Sequence, residues 1–191
     1  MEGLDLGRLN PTSFERLIRA LCFAEMGPAG VVFSSGPDGA RDFVYDGAIA
    51  GYESKRWRGY LVVQAKFKDP SLSKTDDMVW LKSQLDAELK KYTRRASQLK
   101  KPQYYILVTN IKLSGSDGVA NKKLGKPRKG GMTKAQELFA SWKKELKIID
   151  FDIWPHDKVI DLLAAHPSIR QSYAHLISSG DVLAKALQYF T

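Results

Sequence analysis

Apolar residues recur along this 191-residue chain in two rhythms, one helical and one strand-like, and the switches between them outline its elements. Phe14, Leu17, Ile18 and Leu21 are spaced as one buried stripe, which predicts a helix over about residues 13–26. Thr12, with Glu15 three residues on, reads as a capping box, and Gly27-Pro28-Ala29-Gly30 ends the helix. Val31–Ser34 and Asp42–Tyr45 read as short strands on either side of a glycine-rich turn. Asp46-Gly47 signals another turn, followed by a polar hairpin tip or loop as far as Gly59. Tyr60–Phe67 is apolar on both sides, as a central strand must be. Met78, Leu81, Leu85, Leu89, Tyr92, Ala96 and Leu99 step by three or four, predicting one long helix over about residues 75–101 that Pro102 stops.

Tyr104–Thr109 is a further buried strand, residues 133–145 a helix and Ile148–Trp154 a last strand. Residues 112–131 lack apolar periodicity and read as a mobile surface loop, and short helices split near Pro167 and Gly180 finish the chain. The succession predicts an α/β fold with helices layered on a mixed central sheet. The expected organisation is a core over residues 1–155 and a C-terminal helical extension over 156–191, within the same domain or leading to a further one.

Composition narrows the classes. The chain is 43% hydrophobic and 27% charged, enough apolar content for one packed domain. The single cysteine, Cys22, excludes a disulfide framework or a cysteine zinc site and points to a reducing, cytoplasmic setting. His156, His166 and His175 lack the spacing of a zinc motif. The first residues carry no apolar signal-peptide core, and no apolar stretch approaches the ~18 residues that cross a bilayer, so no membrane partner is expected.

The formal net charge of +9 changes the picture more. Between Lys82 and Gly130 there are thirteen Lys or Arg against three Asp or Glu, so this block holds essentially all the excess. Lys90, Lys91, Arg94 and Arg95 fall late in the predicted long helix, and Lys122, Lys123, Lys126, Arg128 and Lys129 in the loop. A solvated helix face explains such a run in many proteins, but so one-sided a block favours contact with a nucleic-acid backbone, which gives affinity without reading sequence.

The candidate chemistry lies in the central strand. Gln64 and Lys66 are two apart in an apolar run and share one face. Burying either without a partner costs kilocalories, so the pair needs a reason. Asp42 closes the turn from Gly36 and starts the adjoining strand, where its carboxylate can converge with them. Asp38, between Pro37 and Gly39, is the alternative carboxylate, but it sits as a turn residue should. Glu15 adds a second carboxylate if the first helix packs over the strands, and its capping role explains it equally well. Such oxygen ligands suit Mg2+, or Mn2+ in its place, with the Ala65 carbonyl as a further contact and Lys66 to stabilise charge on phosphorus. Arg41 either reaches a phosphate or marks a strand that begins one residue later.

These residues carry a resemblance. Phe14-Glu15-x-Leu17, Gly36-x-Asp38-Gly39-x-x-Asp42 and Val63-Gln64-Ala65-Lys66 are similar to the motifs of restriction-endonuclease-like nucleases of the PD-(D/E)xK type. The Mrr-like branch, with glutamine in place of the acidic residue, is the nearest in pattern, and the similarity covers about residues 10–110. It departs from the family pattern at Ala40 and Arg41, which replace the usual glycine and apolar residue before the aspartate. The resemblance implies a three-layer α/β/α core and a Mg2+-dependent endonuclease acting on double-stranded DNA, of the kind used in prokaryotic restriction or anti-phage defence. It implies Asp42 and Gln64 as metal ligands, Lys66 as the lysine and Glu15 as the helix glutamate. It also implies a homodimer or higher assembly, since one such site cuts one strand, and a fused or associated sensor domain. The alternative is a catalytically inactive nucleic-acid-binding module of the same fold.

Overall fold

The computed structural model describes residues 4–32, 41–94, 97, 99–115 and 129–178. Among them, β1 (Val31–Val32), β2 (Phe43–Ala48), β3 (Arg58–Lys66), β4 (Tyr104–Thr109) and β5 (Asp150–Trp154) form one sheet in that order. β1, β2 and β3 are antiparallel neighbours, whereas β3, β4 and β5 run parallel. The described helices are α1 (Pro11–Met26), α2 (Asp77–Thr93), α3 (Gly131–Leu146), α4 (His156–Ala165) and α5 (Pro167–Ile177).

Alternation along β3 divides the core in two. Leu61, Val63 and Ala65 face one layer with Phe14, Leu17, Ile18 and Leu21 of α1, and with Val159, Leu162, Leu163 and Ile177 of α4 and α5. Tyr60 and Val62 face the other layer with Leu81, Leu85 and Tyr92 of α2, and with Phe139 and Trp142 of α3. The protein is therefore an α/β fold with a five-stranded mixed sheet covered by helices on both faces. Both crossovers between parallel strands lie on the α2–α3 face. The two ends of the described chain also meet: Asp5 N donates to Ile177 O at 2.8 Å, and Leu4 bridges Ser178. Among the described residues no helix is long and apolar enough to cross a membrane.

The buried strands lie where their apolar runs predict, but four local expectations are corrected. α1 begins at Pro11, and its cap is Asn10, whose side chain accepts from Ser13 N at 2.8 Å. The Thr12–Glu15 capping box therefore does not form, because proline at the first helical position moves the cap one residue ahead of it. Second, Asp46-Gly47 is not a turn but part of β2, opposite Tyr60 and Gly59. Third, Asp42 precedes β2 rather than opening it. Fourth, α2 ends at Thr93, with Arg94 extended at φ −58° and ψ 137°. A continued helix would stack Lys90 on Arg94, a like-charge i,i+4 pair that disfavours another turn. The chain is fastened instead by Lys100, whose Nζ lies 2.8 Å from Asp46 Oδ2 and 4.1 Å from the centre of the Tyr60 ring. Leu99 still reaches the α2–α3 core without helical geometry. Of the predicted loop, residues 116–128 lie outside the described residues, as do Asp38 and Gly180.

Gly59 is a point where the backbone tolerates no side chain. Its φ is +137°, and a Cβ there would lie 2.1 Å from Gln103 Oε1, which accepts from Tyr60 N at 2.8 Å. Gly59→Ala is expected to destabilise the fold by about 1–3 kcal/mol, read as a lower midpoint in urea. An unchanged midpoint would contradict the β2–β3 register.

Candidate active site

The candidate residues meet where β2 begins and β3 ends. The antiparallel ladder pairs Phe43 with Val63, and Asp42 N donates to Val63 O at 3.3 Å just before it. The strand supplies no carbonyl for the next rung, so the Asp42 carboxylate takes that place. Its Oδ2 accepts from Ala65 N at 2.7 Å and from Gln64 Nε2 at 2.7 Å. Asp42 and Gln64 are buried, at 8% and 4% exposure, in a region where only paired polar groups are tolerable.

Burial pushes the Asp42 carboxyl up from 3.8 to about 6, and the negative charge of Glu15 adds to the rise. The hydrogen bond from Ala65 N and the charges of Lys66 and Arg19 hold it back. Asp42 is thus an ionised carboxylate at neutral pH that a further cation would relieve. The oxygen of the Gln64 amide, Oε1, is buried with no hydrogen-bond partner among the described residues.

Lys66 leaves β3 on the same face as Gln64 and forms an ion pair with Glu88 Oε1 of α2. Lys91 Nζ reaches the same oxygen at 2.9 Å. Glu88 is 2% exposed, and sequence reasoning missed it. The available signal was its register: it lies three residues after Leu85 and four before Tyr92, on the inward stripe of the helix.

The structure brings Asp42, Gln64 and Ala65 into direct contact, whereas the Lys66 ammonium meets Glu88 and acts on Asp42 through its charge. Glu15 lies on α1, with its Oε2 3.8 Å from Arg19 Nη2. It acts on Asp42 through its charge. Arg41 Nη1 donates to Tyr60 Oη at 3.2 Å, so its guanidinium is tied to the first part of β3. Lys90, Lys91 and Arg94 stand at the end of α2, and Lys129 pairs with Glu137. Arg95, Lys122, Lys123, Lys126 and Arg128 lie outside the described residues.

A cleft of about 700 Å3, lined in part by Lys68, Asn110, Lys112 and His156, opens at the carboxyl ends of β3 and β4. Ligands of open α/β sheets bind at such ends. The cleft adjoins the site in sequence, but Asp42, Gln64 and Lys66 do not line it.

Among the described residues no three His, Cys, Asp or Glu side chains gather closely enough to hold a metal ion by themselves. The fit is to a cation that keeps most of its water. Mg2+ commonly binds through one or two carboxylates and fills its other positions with water and substrate phosphate oxygens. Asp42 with the unpartnered Gln64 Oε1 offers such a partial, all-oxygen set.

No protein-family model matches the chain, and no curated protein or solved structure matches it.

Proposed function

We propose that the protein is a metal-dependent DNA endonuclease with a restriction-endonuclease-like core, the effector of a prokaryotic restriction or anti-phage system. The observation that carries this reading is the contact of Asp42 with Gln64 and Ala65 at one end of the sheet, where the charge of Lys66 also acts on Asp42. An ionised buried carboxylate, an amide oxygen in want of a donor or cation, and an ammonium two residues further along β3 form a set suited to a phosphodiester. The antiparallel β1–β2–β3 unit followed by parallel β4 and β5 is compatible with that core.

In this reading Asp42 and Gln64 hold Mg2+ or Mn2+, with the Ala65 carbonyl as a further contact. When bound, the metal polarises a phosphoryl oxygen and lowers the pKa of a water. Asp42 also orients Gln64 by accepting from its amide nitrogen. Lys66 stabilises the negative charge that grows on phosphorus. Glu15 raises the cation affinity of Asp42 through its charge. Cutting both strands takes two protomers or two events, so the proposal includes a homo-oligomer, and regulation falls to a fused or associated sensor domain.

The test is incubation of supercoiled plasmid with Mg2+ and with a chelator. Metal-dependent nicking supports the nuclease; binding without nicking in either Mg2+ or Mn2+ supports the alternative, a nucleic-acid-binding module. The pairing of Lys66 with Glu88, rather than with Asp42, is the feature that favours this alternative.

Both readings place duplex phosphates against the basic end of α2. Replacing Lys90 and Arg94 together with Gln is expected to weaken binding on all sequences and to flatten the salt dependence by about two counterions. An unchanged slope in a titration of affinity against salt would remove α2 from the contact surface.

A further inference from the structure

Lys66 ends in an ion pair that the candidate chemistry does not require. The inward stripe of α2 is Leu81, Leu85, Glu88 and Tyr92, so a carboxylate occupies a position where helix packing alone asks for an apolar residue. Such a pair is poorly explained as a device for stability, since buried ion pairs are commonly matched or bettered by apolar residues of similar volume. Nor does the placement serve the hydrogen bonding of Glu88 itself. Both ammonium groups, from Lys66 and Lys91, meet Oε1, while Oε2 is buried with no partner among the described residues. Lys91 is the more exposed of the two, with 38% of its side chain in solvent against 15% for Lys66. Solvent is open to the first in addition to Glu88, whereas the second depends far more on Glu88.

We propose that Glu88 is a positioning residue for Lys66, holding its ammonium at the carboxyl end of β3 on the face shared with Asp42 and Gln64. The inference rests on the nuclease reading and extends it to a residue outside the metal-binding set. Glu88 touches neither phosphate nor metal. It restricts a long, flexible side chain to one region, so that the ammonium reaches the phosphodiester without first being ordered.

The test uses the full chain with supercoiled plasmid and Mg2+, reading single-turnover nicking, plasmid affinity in chelator and the melting temperature. Glu88→Gln is expected to slow nicking about 10- to 100-fold, the usual cost of losing an orienting partner, with plasmid affinity unchanged. Glu88→Asp, which keeps the charge on a shorter arm, is expected to recover part of the rate. Adding Glu88→Gln to Lys66→Met is expected to cost nothing beyond the loss from Lys66→Met, an outcome that a merely structural role would not produce. If the wild type nicks and Glu88→Gln nicks equally fast, the positioning role is overturned and the nuclease reading stands. A further loss in the Lys66→Met background also overturns it. If the wild type nicks with neither Mg2+ nor Mn2+, the nuclease reading fails and takes this inference with it. Should Glu88→Gln fail to fold, Glu88→Asp carries the test: slower nicking at an unchanged melting temperature supports the role, and a wild-type rate overturns it.

Discussion

Lys66→Met is expected to lower Mg2+-dependent nicking of plasmid DNA by at least ~100-fold, the cost of removing a group that stabilises transition-state charge. Affinity for DNA in chelator should fall little, because one cation among many carries a small share of the backbone contact. The fold should tolerate the change. Methionine keeps the apolar stem of lysine, and Glu88 retains Lys91 at 2.9 Å as its partner. Gel-resolved nicking, filter binding and thermal melting separate the three effects. Nicking at the wild-type rate would remove Lys66 from the chemistry; a parallel collapse of the melting temperature would make it a structural residue instead.

Asp42→Asn is expected to abolish nicking and, at neutral pH, to stabilise the protein. The Asp42 carboxyl titrates at about 6 in the folded chain against an ordinary value of 3.8. Below the lower value the carboxyl is protonated in both states and costs nothing. As pH rises from the lower value to the higher, the unfolded chain gives up its proton first and stability falls; above the higher value the full cost is present, about 3 kcal/mol. Asparagine carries no charge, and its carbonyl oxygen can still accept from Ala65 N. The variant should therefore unfold at higher urea concentration than the wild type at about pH 7.5, with the gain vanishing near pH 4. Mg2+ should stabilise the wild type and leave the variant unmoved, since only the native wild-type site binds it. A variant less stable than the wild type at neutral pH would mean that Asp42 is a structural cap of the ladder and nothing more. Stability given up at a site for function is a general pattern, and a more stable Asp42→Asn variant would add Asp42 to it.

The residues that made the site legible are those whose chemistry clashes with their surroundings. Gln64 and Lys66 stood out because β3 is otherwise continuously apolar, and the alternation of a strand fixes the face they share. Asp42 was legible as the residue after a glycine-rich turn, although its role in completing the ladder at Ala65 depends on a register that no local pattern specifies. Glu88 escaped because Leu85, Leu89 and Tyr92 already accounted for an apolar stripe, and a glutamate in a lysine-rich helix reads as solvated. Only the contact with β3, distant in sequence, reveals that it points inward.

The fold divides the same way. β4 is buried at every position and was plain from composition, whereas the end of α2 was misjudged because Ala96 and Leu99 continue a helical spacing. Leu99 obtains its burial by a different route, beside Lys100, which is fastened to Asp46 and Tyr60. Periodicity states which residues want burial; it does not state that one continuous helix delivers it. Asp46-Gly47 misled for a related reason. A dipeptide typical of turns is also what a strand uses where two backbones pass closely, and Gly47 lies directly opposite Gly59.

The proposed chemistry requires a divalent cation at Asp42 and Gln64, and the most direct measurement is the anomalous scattering of Mn2+ in crystals of the wild-type protein. The predicted result is a peak within coordination distance of an Asp42 carboxylate oxygen and of Gln64 Oε1, absent from crystals of Asp42→Asn. No peak at these residues in well-ordered crystals grown with Mn2+, or a peak held elsewhere on the molecule, would contradict it.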